Sequence, residues 1–371
     1  MELTSEQRDL RDAVRGLLTR YQGAAPEPGD PGYDQALWQR LCGEIGVAGL
    51  AIPARYGGAG AGPAETHVVM EELGRGLTPS PMLGSAVLAA QALLASGDAA
   101  ACQRLLPAIA DGATIAALAW TDQSGHWDPR KAAFGATSDH VLTGEAHYVL
   151  DGDVAGVLLA AAHTPGGVAL YEVDPQHTGV TRGAVTTMDT TRRLAVVRLD
   201  GVPGLLLAGH ADSAAARAGS AGSLALAKAR DLACVALTAE QAGAAQRALD
   251  LTVAYTKVRV QFGRPIASFQ ALQHRMADLY VLVESARSLS YAAASAAAEG
   301  APDLGLRAAA AKAYCSEALA RVAGQMIQLH GAIGITWEHD AHRYFKRAHG
   351  SGQLFGRPAE HIATVAATVI G

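Results

Sequence analysis

Tyr255-Thr-Lys-Val-Arg259-Val-Gln261-Phe262-Gly263-Arg264-Pro265-Ile-Ala-Ser-Phe269-Gln270-Ala-Leu-Gln273-His274 holds the end of one long helix and the start of the next. Gly263 past the last turn and Pro265 after it form a stop signal, because glycine accepts left-handed backbone and proline cannot continue a helix. Reading back from that stop, apolar periodicity predicts a helix over 223–261. Reading forward, it predicts helices over 268–299, ending at Gly300-Ala-Pro302, and over 303–330, ending at Gly331. Long helices with short connections pack as an antiparallel bundle. Arg259 and Gln261 then fall in the last turn of the first helix, with Phe262 beside them. An arginine there either complements the helix dipole or turns a planar fork of donors toward a diphosphate.

Upstream, the first third is helical in pattern. Thr4 and Gln7 form a capping box before Leu10, Val14, Leu17 and Leu18, which share one face. Further amphipathic runs cover 37–45, 65–76, 85–96 and 102–110, with a glycine-rich loop over 55–63. Near residue 113 the pattern changes. Short segments over 114–120, 140–143, 147–150, 157–161, 168–172 and 194–199 are mostly β-branched or aromatic, and Gly, Pro and Asp separate them. The expected fold is α+β and multidomain: an N-terminal helical domain (1–112), a middle β-barrel or sandwich domain (113–208) and a C-terminal helical bundle domain (214–371).

Of the 371 residues, half are hydrophobic and 18% charged, a globular composition, and the net charge of −5 without a basic run excludes a nucleic-acid footprint. Cys42, Cys102, Cys234 and Cys315 stand apart in apolar helical patterns, as small buried hydrophobes whose free thiols suit a cytoplasmic setting. No Cys/His spacing suggests a metal, and His339/His342 and His147/His163 lack ligand partners. The start, Met1-Glu-Leu-Thr-Ser-Glu6, has no signal-peptide character, and apolar runs such as 86–95 are too short to span a membrane. The loop Gly57-Gly-Ala-Gly60-Ala-Gly62 fails as a dinucleotide fingerprint: Pro63 stands where the third glycine belongs, and no βαβ unit surrounds it.

Four stretches, spread over nearly the whole chain, resemble the acyl-CoA dehydrogenase family. The opening segment resembles its Arg-x-x-Phe-Gly signature. Gln325-Met-Ile-Gln328-Leu-His-Gly331-Ala332-Ile-Gly334-Ile-Thr336-Trp-Glu338, followed by Arg343 and Arg347, is similar to its Gln-x-x-Gly-Gly-x-Gly-x-x-x-Glu segment. Leu37-Trp38 through Gly46, Ile52-Pro53, Tyr56-Gly57-Gly58 and Glu71-Glu72-Leu73-Gly74-Arg75 resemble its N-terminal domain. The run from Thr190 to Val202 resembles a strand of its β-domain. The resemblance implies the helical, β, four-helix-bundle order, FAD as cofactor, and α,β-desaturation of an acyl-CoA thioester. It also implies that FAD lies between subunits, so that Arg259, Gln261, Phe262, Gln328, Gly331 and Ala332 serve a neighbour's FAD, while Thr121 belongs to the loop that holds the chain's own flavin ring.

The departures from the family concern chemistry. Desaturation needs a base for the α-proton while hydride leaves for the flavin. The family's glutamate stands at one of two places, which here are Phe355 and Ala233; neither takes a proton. Glu240 is a weak substitute, about 10 Å further along the helix from Ala233, and Asp231 points to the opposite side. The flavin-ring loop is reduced to Thr121-Asp122-Gln-Ser-Gly-His-Trp127-Asp128, and the ring-covering element is Tyr148-Val149-Leu150, without a hydroxyl at its third position. This asymmetry resembles the base-less chain of actinobacterial-type heteromeric acyl-CoA dehydrogenases. The expectation is a non-catalytic partner in an α2β2 heterotetramer, passing electrons to an electron-transfer flavoprotein or another acceptor. Two rivals stand beside it: a self-sufficient homo-oligomeric enzyme with a relocated base, and a flavin-free structural or binding subunit.

Overall fold

The computed structural model describes residues 3–21, 32–207 and 221–370. Helix α1 (Ser5–Arg20) opens on the reciprocal box: Thr4 N donates to Gln7 Oε1 at 3.1 Å and Gln7 N to Thr4 Oγ1 at 3.2 Å. Helix α2 (Gln35–Arg40) is capped by Asp34, which accepts from Leu37 N at 3.0 Å, and widens into a π-type turn over Leu41–Ile45 that Gly46 closes at φ +78°. The glycine-rich loop is packed coil. A Cβ on Gly58 would lie 2.0 Å from Ile52 O, so glycine is required by close backbone approach and not by a nucleotide. Helix α3 (Pro63–Arg75) follows. A π-type stretch over Met82–Ala89 leads into α4 (Ala90–Ser96), and α5 (Ala99–Ala110) is capped by Asp98.

The β region is a barrel. Its strands are β1 (Ala116–Ala119), β2 (Phe134–Ala136), β3 (Val141–Leu150), β4 (Val157–Thr164), β5 (Gly167–Val173), β6 (Val180–Ala184) and β7 (Leu194–Leu206). Strand β4 bonds to β2 and β5; β2 bonds to β3, β3 to β7, and β7 to β5, so the sheet returns on itself. Strand β1 runs parallel along β4, and β6 lies on β7. Closure joins β2, β3, β4, β5 and β7 into a ring and fills the interior with Phe134, Leu142, Leu158, Tyr171, Val197 and Leu199. The segments read as 140–143 and 147–150 are one strand interrupted by bulges, with register shifts at Leu142/Gly144 and Ala146/Val149. Strands β2 and β6 escape a sequence reading because each is short and carries glycine.

The remaining elements are α6 (Ala221–Val258), β8 (Val260–Gln261), β9 (Arg264–Pro265), α7 (Gln270–Glu299), α8 (Leu304–His330), α9 (Ala341–Gln353) and α10 (Pro358–Val369). The expected boundary at 208–214 lies outside the described residues. The chain groups into two compact units: residues 1–18, 67–78 and 234–371 form one, and 19–66 with 79–233 form the other. In the first, Leu249, Leu279, Val283, Leu319, Val322 and Met326 make the core. Helices α3 and α6 cross there at reciprocal glycines. A Cβ on Gly74 would lie 2.1 Å from Glu240 O, and one on Gly243 would lie 2.0 Å from Glu71 O. No described helix is long and apolar enough to cross a membrane.

Candidate functional site

The opening segment holds the end of one long helix and the start of the next, as expected, but the first helix ends before Arg259. Helix α6 stops at Val258, and Arg259 N still donates to Tyr255 O at 2.9 Å, but residues 260–265 form a hairpin with pairs Val260↔Pro265 and Gln261↔Arg264. Phe262 at φ +53° and Gly263 at φ +76° make the two-residue turn, the left-handed pair that matches strand twist. Alternation in Val258-Arg259-Val260-Gln261 favours strand, and the Phe-Gly pair supplies the turn, so the helix expected to reach Gln261 ends early. Ile266 N closes the hairpin on Arg259 O at 2.8 Å.

The hairpin stands out from its unit. Arg259, Gln261 and Phe262 are exposed, Phe262 at 91%. Phe262 touches Phe269 edge-on at 6.0 Å, and the Arg264 guanidinium sits 4.1 Å over the Phe269 ring. Gln261 Nε2 donates only to Val260 O. Among the described residues the Arg259 guanidinium has no partner.

The second motif is brought to the same end of the bundle. Tyr255, one turn before Arg259, stacks on His330 at 4.3 Å and donates its hydroxyl to His330 O at 3.2 Å. Gly331 follows at φ +64°, ψ −140°, backbone that only glycine adopts readily. Gly331 and Ala332 are exposed, as is Gln328 in the last turn of α8. Gln328 opens onto a groove of about 630 Å³ with Arg275, Asp278, Arg321 and Gln325, and the buried Gln325 Oε1 has no hydrogen bond. An unpaired arginine fork, a side-chain-free backbone turn, and amide groups with open valences suit a diphosphate joined to a nucleoside. The residues on this face fit FAD.

The ring-holding half fits poorly. Thr121 is only 2% exposed, and its Oγ1 is sealed in without a partner. Its backbone is engaged, with His147 N donating to Thr121 O at 2.7 Å. Leu150 is buried in the strand. Neither residue presents a donor to a flavin ring.

At the two base positions, Ala233 and Phe355 are 0% and 1% exposed. Glu240 is buried and engaged, with Arg347 Nη1 donating to its Oε1 at 2.9 Å, and both side chains out of solvent. Breaking such a pair strands a buried charge, so Glu240 reads as a structural anion. Asp231 lies against Arg230 at 3.1 Å; burial pushes its carboxyl up, with Arg230 opposing.

Two features give no signal in the sequence. Lys312, in the alanine-rich α8, is fully buried, and Asp151, after β3, is nearly so. Both residue types read as surface when only helical and strand periods are available.

The comparisons agree with the geometry. Residues 4–113 match the acyl-CoA dehydrogenase N-terminal domain model, and residues 225–370 match the C-terminal domain model. The chain is 40% identical to the acyl-CoA dehydrogenase IpdE2 of Mycolicibacterium smegmatis, covering 98% of this chain and 99% of that one. It is 41% identical to IpdE2 of Mycobacterium tuberculosis, over 96% and 94%. Among solved structures, a variant of the Tcur3481–Tcur3483 steroid ACAD superposes with TM-score 0.87 at 31% identity, covering 98% of both chains. The ChsE4–ChsE5 complex from Mycobacterium tuberculosis gives 0.86 at 28% identity, over 100% of this chain and 98% of that one.

Proposed function

The chain belongs to the acyl-CoA dehydrogenase family, and on that premise we propose that it is the base-less partner in a heteromeric acyl-CoA dehydrogenase. It joins a second chain of the same fold, in an α2β2 arrangement, and the pair converts an acyl-CoA to its 2,3-enoyl-CoA. The observation that carries this reading is the contrast between two sets of positions. Those for a base hold Ala233 and Phe355, apolar and closed to solvent, whereas Arg259 is exposed and has no partner among the described residues.

FAD, when bound, accepts the hydride. This chain's contribution would be to hold it: the Arg259 fork would receive the diphosphate, and Gln328 and Gly331 the adenosine. The partner brings the ring-holding loop and the carboxylate that takes the α-proton. The two-chain and steroid names of similar structures support a heteromer acting on a steroid-derived or fatty acyl group. An electron-transfer flavoprotein or another acceptor reoxidises the flavin, and free buried thiols suit a cytoplasmic setting.

Co-expression with the partner tests the reading. The chain alone should show no acyl-CoA-dependent reduction of an artificial acceptor, and the pair should turn over. Turnover by the chain alone would replace this reading with a self-sufficient enzyme. A pair whose flavin content is indifferent to Arg259 would favour a flavin-free structural subunit.

A further inference from the structure

Lys312 carries a buried charge without an ion pair. Its Nζ donates to Ser316 Oγ at 3.0 Å, Gly352 O at 3.3 Å and Gly356 O at 3.3 Å. Among the described residues no carboxylate bridges to it. Burial pushes the ammonium down to about 8. An alkyl side chain would fill this place without the desolvation cost, so the gain lies in the three donors. Two of their acceptors bracket the three residues 353–355. Gly352 O is in the last turn of α9, where carbonyls lack helical partners, and Gly356 O is just past the turn. Between them stands Phe355 at φ +60°, uncommon for a bulky side chain. Ser316 also accepts from Gln241 Nε2 at 3.0 Å, and Gln241 donates to Ser351 at 3.1 Å, so the same turn is braced from α6.

We propose that Lys312 is a positioning residue that clamps the 352–356 turn and thereby holds Phe355 as a plug over this chain's own base position. The proposal rests on the family placement of the base at 355. A base must come within hydrogen-bond distance of the α-proton, and a residue 1% exposed meets no substrate. The other base position, Ala233, is equally closed. An apolar ring on a strapped turn thus occupies the place at which a base would stand in this chain.

Hydrogen exchange on the full chain, alone and in its complex, tests the clamp with Lys312→Met. Amides over 353–357 should exchange about tenfold faster or more, because each lost charge-assisted hydrogen bond eases local opening by roughly that factor. Exchange in α7 and the 260–265 hairpin should not change, and the melting temperature should not fall. No local acceleration, or acceleration spread over the bundle with a lowered melting temperature, overturns the clamp. A second variant, Phe355→Cys, reads the plug directly, since the four native cysteines are buried and give little background. Its thiol should react with a small maleimide about 100-fold slower than a free thiol, as protection by burial requires, and faster once Lys312→Met is added. Labelling at the free-thiol rate with Lys312 intact overturns the plug. If Phe355→Cys does not fold, the exchange arm decides. None of these rates depends on turnover or flavin count, which judge the heteromer separately.

Discussion

At the scale of single residues, the sharpest test falls on Arg259. Its guanidinium is exposed and makes no hydrogen bond to the described residues, so Arg259→Ala should leave the melting temperature of the complex almost unchanged. Flavin affinity should fall about tenfold or more, because charge-assisted hydrogen bonds contribute roughly 1.5–3 kcal/mol each. Arg259→Lys keeps the charge but not the fork and should fall between. Full flavin content in the Ala variant would remove the cofactor role. Glu240 should behave in the opposite way. Glu240→Ala removes a buried carboxylate that accepts from Arg347, so it should cost about 3–5 kcal/mol of stability, read by denaturant titration; a stable variant with lost turnover would instead make it a base. Asp151 gives a pH signature. Burial pushes its carboxyl up to about 7, against Arg192, with Asp153 raising it further and Arg193 opposing. The folded chain thus holds this proton more tightly than the unfolded chain. The contribution of Asp151 is most favourable at low pH and declines as pH rises from the ordinary carboxylate range to about 7. Asp151→Asn removes that decline, so its melting temperature should gain on the wild type between pH 5 and 8. A gap that stays constant with pH would show Asp151 to be ionised already. Arg259, Gln328 and Gly331 stand in motifs, which can be read from a string, and the structure brings them to one end of the bundle. Asp151 and Lys312 were not, because what makes them unusual is the absence of water around them.

At the scale of elements, the hairpin and the helix crossing use glycine for different reasons. Gly263 needs its left-handed φ, but an added Cβ there meets no atom within 4 Å. Gly263→Ala should therefore cost only about 1 kcal/mol of backbone strain. Gly243 has no room at all, since an added Cβ would lie 2.0 Å from Glu71 O. Gly243→Ala must push α3 and α6 apart, and overpacking of this kind costs about 1–3 kcal/mol or more. The two variants, compared by thermal melting, should separate clearly; similar losses would mean that the crossing yields. Helix starts were read well where the signal is local, as in the Thr4–Gln7 box. The end of α6 was misread by three residues, since a stop signal marks that a helix ends nearby but not where a competing hairpin takes over the backbone hydrogen bonds.

At the scale of the whole molecule, the expected readout is one FAD per pair of chains in the complex, measured by flavin absorbance after denaturation. The exposed hairpin can serve a neighbour's cofactor, while Thr121 is sealed and Leu150 lacks a hydroxyl. One FAD per chain would show that the barrel of this chain still takes a ring. The bundle unit also exposes Val258, Phe262, Tyr280, Val281, Ile335 and Trp337, and apolar surface on this scale suits burial against another subunit. The sequence by itself determined the helical, β, helical order and the absence of a carboxylate at 233 and 355. Periodicity and residue identity are properties of a string. Only the tertiary structure decided that the sheet closes through β4, that Glu240 is held by an arginine 107 residues away, and that Phe355 is buried beside a turn whose carbonyls accept from Lys312. Burial and pairing arise from neighbours that the order of residues does not reveal, and they set whether a group is charged, reachable or already engaged.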